Sequence, residues 1–273
     1  MSQFLAGLAI LSVVFFYICV DRRSGYYFSI SALSALFVSS LLKPLVRELR
    51  PYARDMRIRN ADHLTATGYS FPSGHCTGIS STSMAFFSYY RAILSYYAAY
   101  FWVANIFAII SRIVLGSHYL HDCIAGFVIG LMIGYFILQL NVSCYIFFEK
   151  KSVWFGMVLF VAGLSGAILG QIGFPLFVRM ENAFHFLSAI GCIVMGDYLE
   201  RRLIGCTCYA RNMKKFIRIV FFILTVWLIY ALYFATFSRT IISFHIFVVL
   251  LSFHYTIGFS WLGSMLMLFD KQA

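Results

Sequence analysis

Three groups of polar residues carry the chemistry of this chain: Lys43-x6-Arg50-Pro51, Pro72-Ser73-Gly74-His75, and Ser111-Arg112-x5-His118-x3-Asp122. Two arginines, a lysine, two histidines and an aspartate are a set that can hold a phosphate and break its ester bond. A phosphate monoester carries close to two negative charges at neutral pH. Its hydrolysis needs charge neutralisation, an in-line nucleophile and a proton for the leaving oxygen. Lys43, Arg50 and Arg112 suit the first task, because guanidinium forks match phosphate oxygens in pairs and an ammonium adds a point charge. Ser73-Gly74 stands just before an apolar stretch, where the N–H groups of a helix N-terminus make an anion site. Gly74 permits close approach of the backbone, Pro72 suits the helix start, and His75 falls in the first turn. His118 and Asp122 are four apart, so on a helix they share a face. The carboxylate would fix the imidazole tautomer and leave the other ring nitrogen as nucleophile.

Taken singly these groups have plainer readings. A histidine near a membrane interface is commonly polar packing, and Arg112 could be a snorkelling side chain. Their conjunction, in order and at one membrane face, favours the chemical reading.

The elements that must position them are membrane helices. The chain has 273 residues, 62% hydrophobic and 11% charged, with mean hydropathy +0.85; a soluble domain carries about 25% charged residues. Backbone groups in lipid must be satisfied internally, so the expected class is all-α, a polytopic helical bundle, with roughly 20 apolar residues per crossing. Nine uncharged stretches stand out: Phe4–Val20, Tyr26–Leu42, Phe71–Tyr90, Ala92–Ser111, Cys123–Phe148 (starting near His118), Ser152–Val178, Asn182–Gly196, Ile219–Ser238 and Thr240–Phe269. The first lacks a basic n-region and reads as a retained helix rather than a signal peptide. Residues 1–148 form the motif-bearing core, and 149–273 add further helices to the same membrane domain.

In this nine-helix arrangement the motif side carries nine basic residues, three of them in the motifs, against twelve on the other side. Positive-inside bias then turns the site away from the cytosol, toward periplasm or lumen. The net charge of +11 reflects that bias and attraction to anionic headgroups, not nucleic-acid binding. The seven cysteines lie mostly in or beside apolar segments, where they act as small hydrophobes, and Cys206-x-Cys208 is too tight for a zinc pair. The polar stretch Lys43–Tyr69 mixes Arg54, Arg57 and Arg59 with Met56, Ile58 and Leu64, which suits a short interfacial helix beside the site or a solvated loop. His185, His245 and His254 read as core residues.

The pattern resembles the type 2 phosphatidic acid phosphatase superfamily, which includes lipid phosphate phosphatases, lipid A phosphatases, glucose-6-phosphatase and vanadium haloperoxidases. All eleven motif residues match, and the resemblance covers roughly Tyr26–Leu140. It implies that Lys43, Arg50 and Arg112 bind phosphate with Ser73 and the Gly74 amide. It also implies that His118 attacks phosphorus and becomes a phosphohistidine, that Asp122 orients His118, and that His75 protonates the leaving oxygen and then activates water. Ser111 and Pro51 would shape the pocket, with no metal and no cofactor. One apolar segment precedes the helix ending in the first motif, where six-helix members have two. The larger helix count resembles the glucose-6-phosphatase and sphingosine-phosphate phosphatase branch. The expectation is an integral-membrane, metal-independent phosphatase of a lipid phosphate monoester or diphosphate, in a bacterial inner membrane or an endoplasmic-reticulum-type membrane. Alternatives are a phosphotransferase passing phosphate to a lipid or sugar acceptor, and a non-enzymatic transporter or scramblase.

Overall fold

The computed structural model describes residues 10–59, 68–90, 94–208, 210, 212–236 and 240–269, with backbone alone for 94–100 and 140–151. The start of the expected first segment, residues 60–67 of the polar stretch, Arg91 and Arg239 lie outside the described residues. The described residues are helical and loop, with no β-strand. The helices are α1 (Arg22–Val46), α2 (Pro51–Arg54), α3 (Gly74–Tyr89), α4 (Leu94–Val114), α5 (Leu120–Gln171), α6 (Pro175–Arg179), α7 (Glu181–Leu203), α8 (Asn212–Thr236), α9 (Ile241–Phe253) and α10 (Phe259–Met265). Single π-helical turns cover Phe16–Val20 and His254–Gly258.

Among the described residues, five stretches are long and apolar enough to cross a membrane: Arg22–Arg54, Leu120–Gln139, Ser152–Gln171, Asn212–Thr236 and Ile241–Met265. Ile10–Val20 and Phe101–Val114 are further apolar helical stretches among the described side chains, the second being part of α4, whose backbone begins at Leu94. Two expected crossings are helices of more polar character. The first, α3, has 16 residues and buries Thr77, Ser80, Ser81 and Ser83; the second, α7, buries Asp197 and Glu200. The turn expected between the fifth and sixth segments is absent. Glu149, Lys150 and Lys151 lie inside α5, whose backbone is continuous. Residues 140–151 contain neither glycine nor proline, so nothing local interrupts the helix, and charge alone does not break one.

The chain divides into two compact units, one of Tyr27–Ser143 with the residues up to Leu11, the other of Ser12–Tyr26 with Cys144–Ala273. In the first, α5 lies against α3 through glycines at every fourth position. A Cβ on Gly126 would meet the Ser73 carbonyl at 2.8 Å and Thr77 Oγ1 at 3.0 Å. One on Gly130 would collide with Ser80 Oγ and the Thr77 carbonyl, and one on Gly134 with the Ser81 carbonyl. Small residues spaced this way let two helix backbones touch where no hydrophobic effect drives them together. The hydroxyls in the seam are satisfied within α3: Thr77 donates to the Ser73 carbonyl at 2.8 Å and Ser80 to Cys76 at 2.7 Å. Helix α1 joins through a Ser31–Ser81 hydroxyl contact of 2.7 Å. Cys76, Ala108 and Cys123, flanked by Ile79 and Ile109, form the apolar cluster where α3, α4 and α5 meet.

In the second unit the later part of α5 packs on α7, with Gly156 and Gly191 facing each other: a Cβ on Gly156 would come within 2.8 Å of the Gly191 carbonyl. Its buried charges are paired. Arg22 binds Glu200 at 2.5 Å, Arg201 binds Asp197 at 3.1 Å, and the Tyr17 hydroxyl donates to Asp197 at 3.1 Å. Arg218 is fully buried, donating to the carbonyls of Leu268 (2.9 Å), Ile18 (3.3 Å) and Cys208 (2.9 Å), with the Phe269 ring 4.1 Å away. His185, His245 and His254 are core residues of this unit. By contrast α8 exposes Phe216, Ile223, Leu224, Trp227 and Phe234, the outward apolar surface that lipid requires.

The glycine seam gives a direct comparison. Gly130→Ala should cost about 1–3 kcal/mol, because the added carbon meets backbone. Gly170→Ala, whose Cβ has its nearest contact at 3.4 Å, should lie within about 0.5 kcal/mol of wild type. Thermal unfolding in detergent separates them, and equal stability of the two variants would remove the seam from the argument.

Candidate active site

All eight candidate residues lie in the first unit. Lys43 is in the last turn of α1, three residues before its end at Val46. Arg50 caps the four-residue α2, with Pro51 at its first position. Ser73 is the N-cap of α3, Gly74 and His75 are its first residues, and Arg112 is in the last turn of α4. His118 stands just before α5, and Asp122 is in the first turn of α5. A left-handed Gly116 (φ 66°) turns the chain from α4 toward His118; a Cβ there would clash with Ile58 at 2.7 Å.

Two clusters result. In the first, Lys43 Nζ donates to the Tyr69 carbonyl at 2.8 Å. Arg50 is buried, with Nε on the Gly68 carbonyl at 2.9 Å and NH1 on the Ser117 carbonyl at 3.0 Å. The same NH1 lies 3.3 Å from His118 Nε2. An arginine can only donate, so His118 Nε2 accepts, and the ring proton belongs on Nδ1. In the second cluster, buried Arg112 points NH1 at His75 Nδ1, 3.3 Å away, so that nitrogen also accepts. The clusters are tied through the backbone: Ser73 N–H donates to the Asp122 carbonyl at 3.1 Å.

The expected hydrogen bond between His118 and Asp122 is replaced by a less direct arrangement. His118 precedes the helix, and its Nδ1 is 3.5 Å from Asp122 Oδ2, too long for a good hydrogen bond. Asp122 Oδ2 instead accepts from the Ser70 hydroxyl at 2.5 Å and the Tyr119 N–H at 2.9 Å. Ser70, missed in the sequence, is fully buried; its only signal there is a hydroxyl two residues before Pro72. His121 is 59% exposed and bonds Glu48 at 2.9 Å, with Asp122 Oδ1 at 3.3 Å. Its ring stacks on Tyr119, and the Arg54 guanidinium lies 5.9 Å from the centre of the Tyr119 ring. The polar stretch after α2 includes Met56, 98% exposed, and is not helical as far as Arg59.

The start of α3 has no side-chain cap. Ser73 Oγ is buried without a hydrogen-bond partner among the described residues. A Cβ on Gly74 would have its nearest contact, Ser39 Oγ, at 3.4 Å, so the protein's own packing does not demand glycine there. These features suit an anion seated against the helix N-terminus.

Residues 24–145 match the PAP2 superfamily. They belong to that superfamily. No curated protein and no solved structure matches the chain. PAP2 membership implies a phosphatase-type function, and together with the apolar helices it fits an integral membrane protein. The PAP2 region takes in all three motifs and both clusters.

Burial, reinforced by the nearby Arg50 and Lys43 charges, pushes the His118 imidazole down to about 4. In the folded protein His118 is therefore neutral at neutral pH, as a nucleophile must be. Unfolded, the ring titrates near 6.5, so its contribution to stability is complete above that pH and is lost as pH falls toward 4. The loss is at most roughly 3 kcal/mol. Melting curves in detergent at pH 7 and pH 4.5 should show a smaller acid-induced fall for His118→Gln than for wild type. An identical fall in both would contradict the buried, neutral ring.

Proposed function

We propose that the protein is an integral-membrane phosphatase that hydrolyses a lipid phosphate monoester or diphosphate through a phosphohistidine. The observation that carries this reading is the pairing of each buried arginine with a histidine ring nitrogen, Arg50 with His118 Nε2 and Arg112 with His75 Nδ1. A phosphate that draws the guanidinium forks onto its oxygens uncovers both nitrogens at once. His118 Nε2 then holds the lone pair for in-line attack on phosphorus. His75 Nδ1, released from Arg112, can take a proton, making the ring an acid. As the nitrogen–phosphorus bond forms, the ester bond breaks and His75 protonates the leaving oxygen. Water, deprotonated by His75, then attacks phosphorus; the nitrogen–phosphorus bond breaks and inorganic phosphate departs.

Lys43, Ser73 and the Gly74 amide complete the phosphate seat, and Asp122 holds the His118 side of it. The positive charge in this scheme comes from lysine and arginine, so turnover needs no metal. A scaffold of lipid-facing helices favours a substrate delivered from the bilayer. Transfer of the phosphoryl group to a lipid or sugar acceptor in place of water is the second reading; it would use the same residues.

The test is phosphate release by detergent-purified protein without added metal, using phosphatidate, phosphatidylglycerophosphate, sphingosine phosphate, undecaprenyl diphosphate, lipid A and glucose 6-phosphate. Wild type should release phosphate from at least one, and His118→Ala should lose about 10³-fold or more in kcat. Lys43→Ala and Arg112→Ala should weaken vanadate inhibition about tenfold or more. Near-normal turnover by His118→Ala would overturn the mechanism, and a phosphorylated acceptor in place of free phosphate would establish transfer.

A further inference from the structure

We propose that Ser70 is a positioning residue for the nucleophile, a hydroxyl relay inserted between His118 and Asp122. Three distances support it. Ser70 Oγ lies 3.3 Å from His118 Nδ1 and 2.5 Å from Asp122 Oδ2, while the direct His118–Asp122 separation is 3.5 Å. The direction of the relay follows from the other side of the ring. Arg50 donates to Nε2, so Nδ1 carries the proton and donates to Ser70 Oγ. A carboxylate can only accept, so the Ser70 hydroxyl proton points to Asp122. The chain of donors thus runs from Arg50 to His118, from His118 to Ser70, and from Ser70 to Asp122.

Ser70 is held for this role from both sides. Its own N–H donates to the Glu48 carbonyl at 2.8 Å, and Lys43 fixes the preceding carbonyl, that of Tyr69. Asp122 Oδ2 also accepts from Tyr119 N–H, which stops the carboxylate from rotating toward His118. The first motif therefore acts on the nucleophile through the Gly68–Ser70 segment as well as through its charge. As His118 attacks phosphorus, positive charge grows on the ring; the Asp122 carboxylate attracts that charge across 3.5 Å, and the hydroxyl relay adds a directed hydrogen bond that fixes the ring's orientation.

This inference rests on the phosphatase reading for its kinetic consequence but not for its geometry, and the two are separable. Hydrolysis of the six substrates named above and the imidazole N–H proton resonance of ¹⁵N-histidine-labelled protein would be measured for wild type, Ser70→Ala, Ser70→Cys and Ser70→Thr. The expected result is a loss of about 10²-fold in kcat for the alanine and cysteine variants, with KM and vanadate inhibition unchanged. The threonine variant, which keeps the hydroxyl, should stay within about tenfold of wild type. The His118 Nδ1–H resonance should move upfield in the alanine and cysteine variants but not in the threonine variant. A kcat within threefold of wild type, or an unmoved resonance, in either hydroxyl-free variant that folds would overturn the relay. If wild type releases no phosphate while the resonance still responds to Ser70, the phosphatase reading fails and the relay stands.

Discussion

The contact on which the site depends is the backbone-to-backbone approach of α3 and α5. Lipid offers no solvent-driven reason for two helices to associate, so van der Waals contact must do it, and that needs the side chains removed from the seam. Gly126, Gly130 and Gly134 remove them from α5, while α3 answers with serine and threonine whose hydroxyls turn back onto their own helix. The seam ends where Ser73 donates to the Asp122 carbonyl. That bond brings the N-terminus of one helix, with its uncapped amides, beside the N-terminus of the next, with its carboxylate. A looser seam would separate the anion seat from the nucleophile's support without disturbing either helix.

The electrostatics follow from burial. Arg50 and Arg112 are 4% and 1% exposed, and charges that deep need partners. Backbone carbonyls and neutral imidazole nitrogens provide them for Arg50, and His75 does so in part for Arg112. Neutral acceptors hold a guanidinium without cancelling its charge. The cations are therefore restrained in place yet remain strong attractors for an anion, which a carboxylate partner would have prevented.

Much of this could be read from the chain. The three motifs, the helices that carry them and the core placement of the distal histidines follow from residue type, spacing and runs of apolar residues. What was hidden falls into two kinds. Ser70 and Glu48 act on residues 52 and 73 positions away, and a single serine or glutamate in a polar loop has no periodicity to mark it. The expected His118–Asp122 bond failed for a related reason, since four-residue spacing implies contact only if both residues are helical, and α5 begins at Leu120. The second kind concerns charge read as a boundary. Glu149, Lys150 and Lys151 suggested a turn, yet helix-breaking comes from glycine and proline, and none is present there. Conversely Asp197 and Glu200 cut the expected seventh segment short at Gly196, whereas α7 runs on to Leu203 with both carboxylates in ion pairs.

Arg218 gathers Ile18, Cys208 and Leu268 around one guanidinium. Those carbonyls come from the beginning, the later middle and the far end of the described chain, whereas everything that the motif-bearing unit needs has been made once residue 143 emerges. Synthesis from N- to C-terminus therefore imposes an order. The segment Ser12–Tyr26 is translated among the first residues but can reach its native place only after Leu268, so it must be kept waiting through most of the insertion of its own protein.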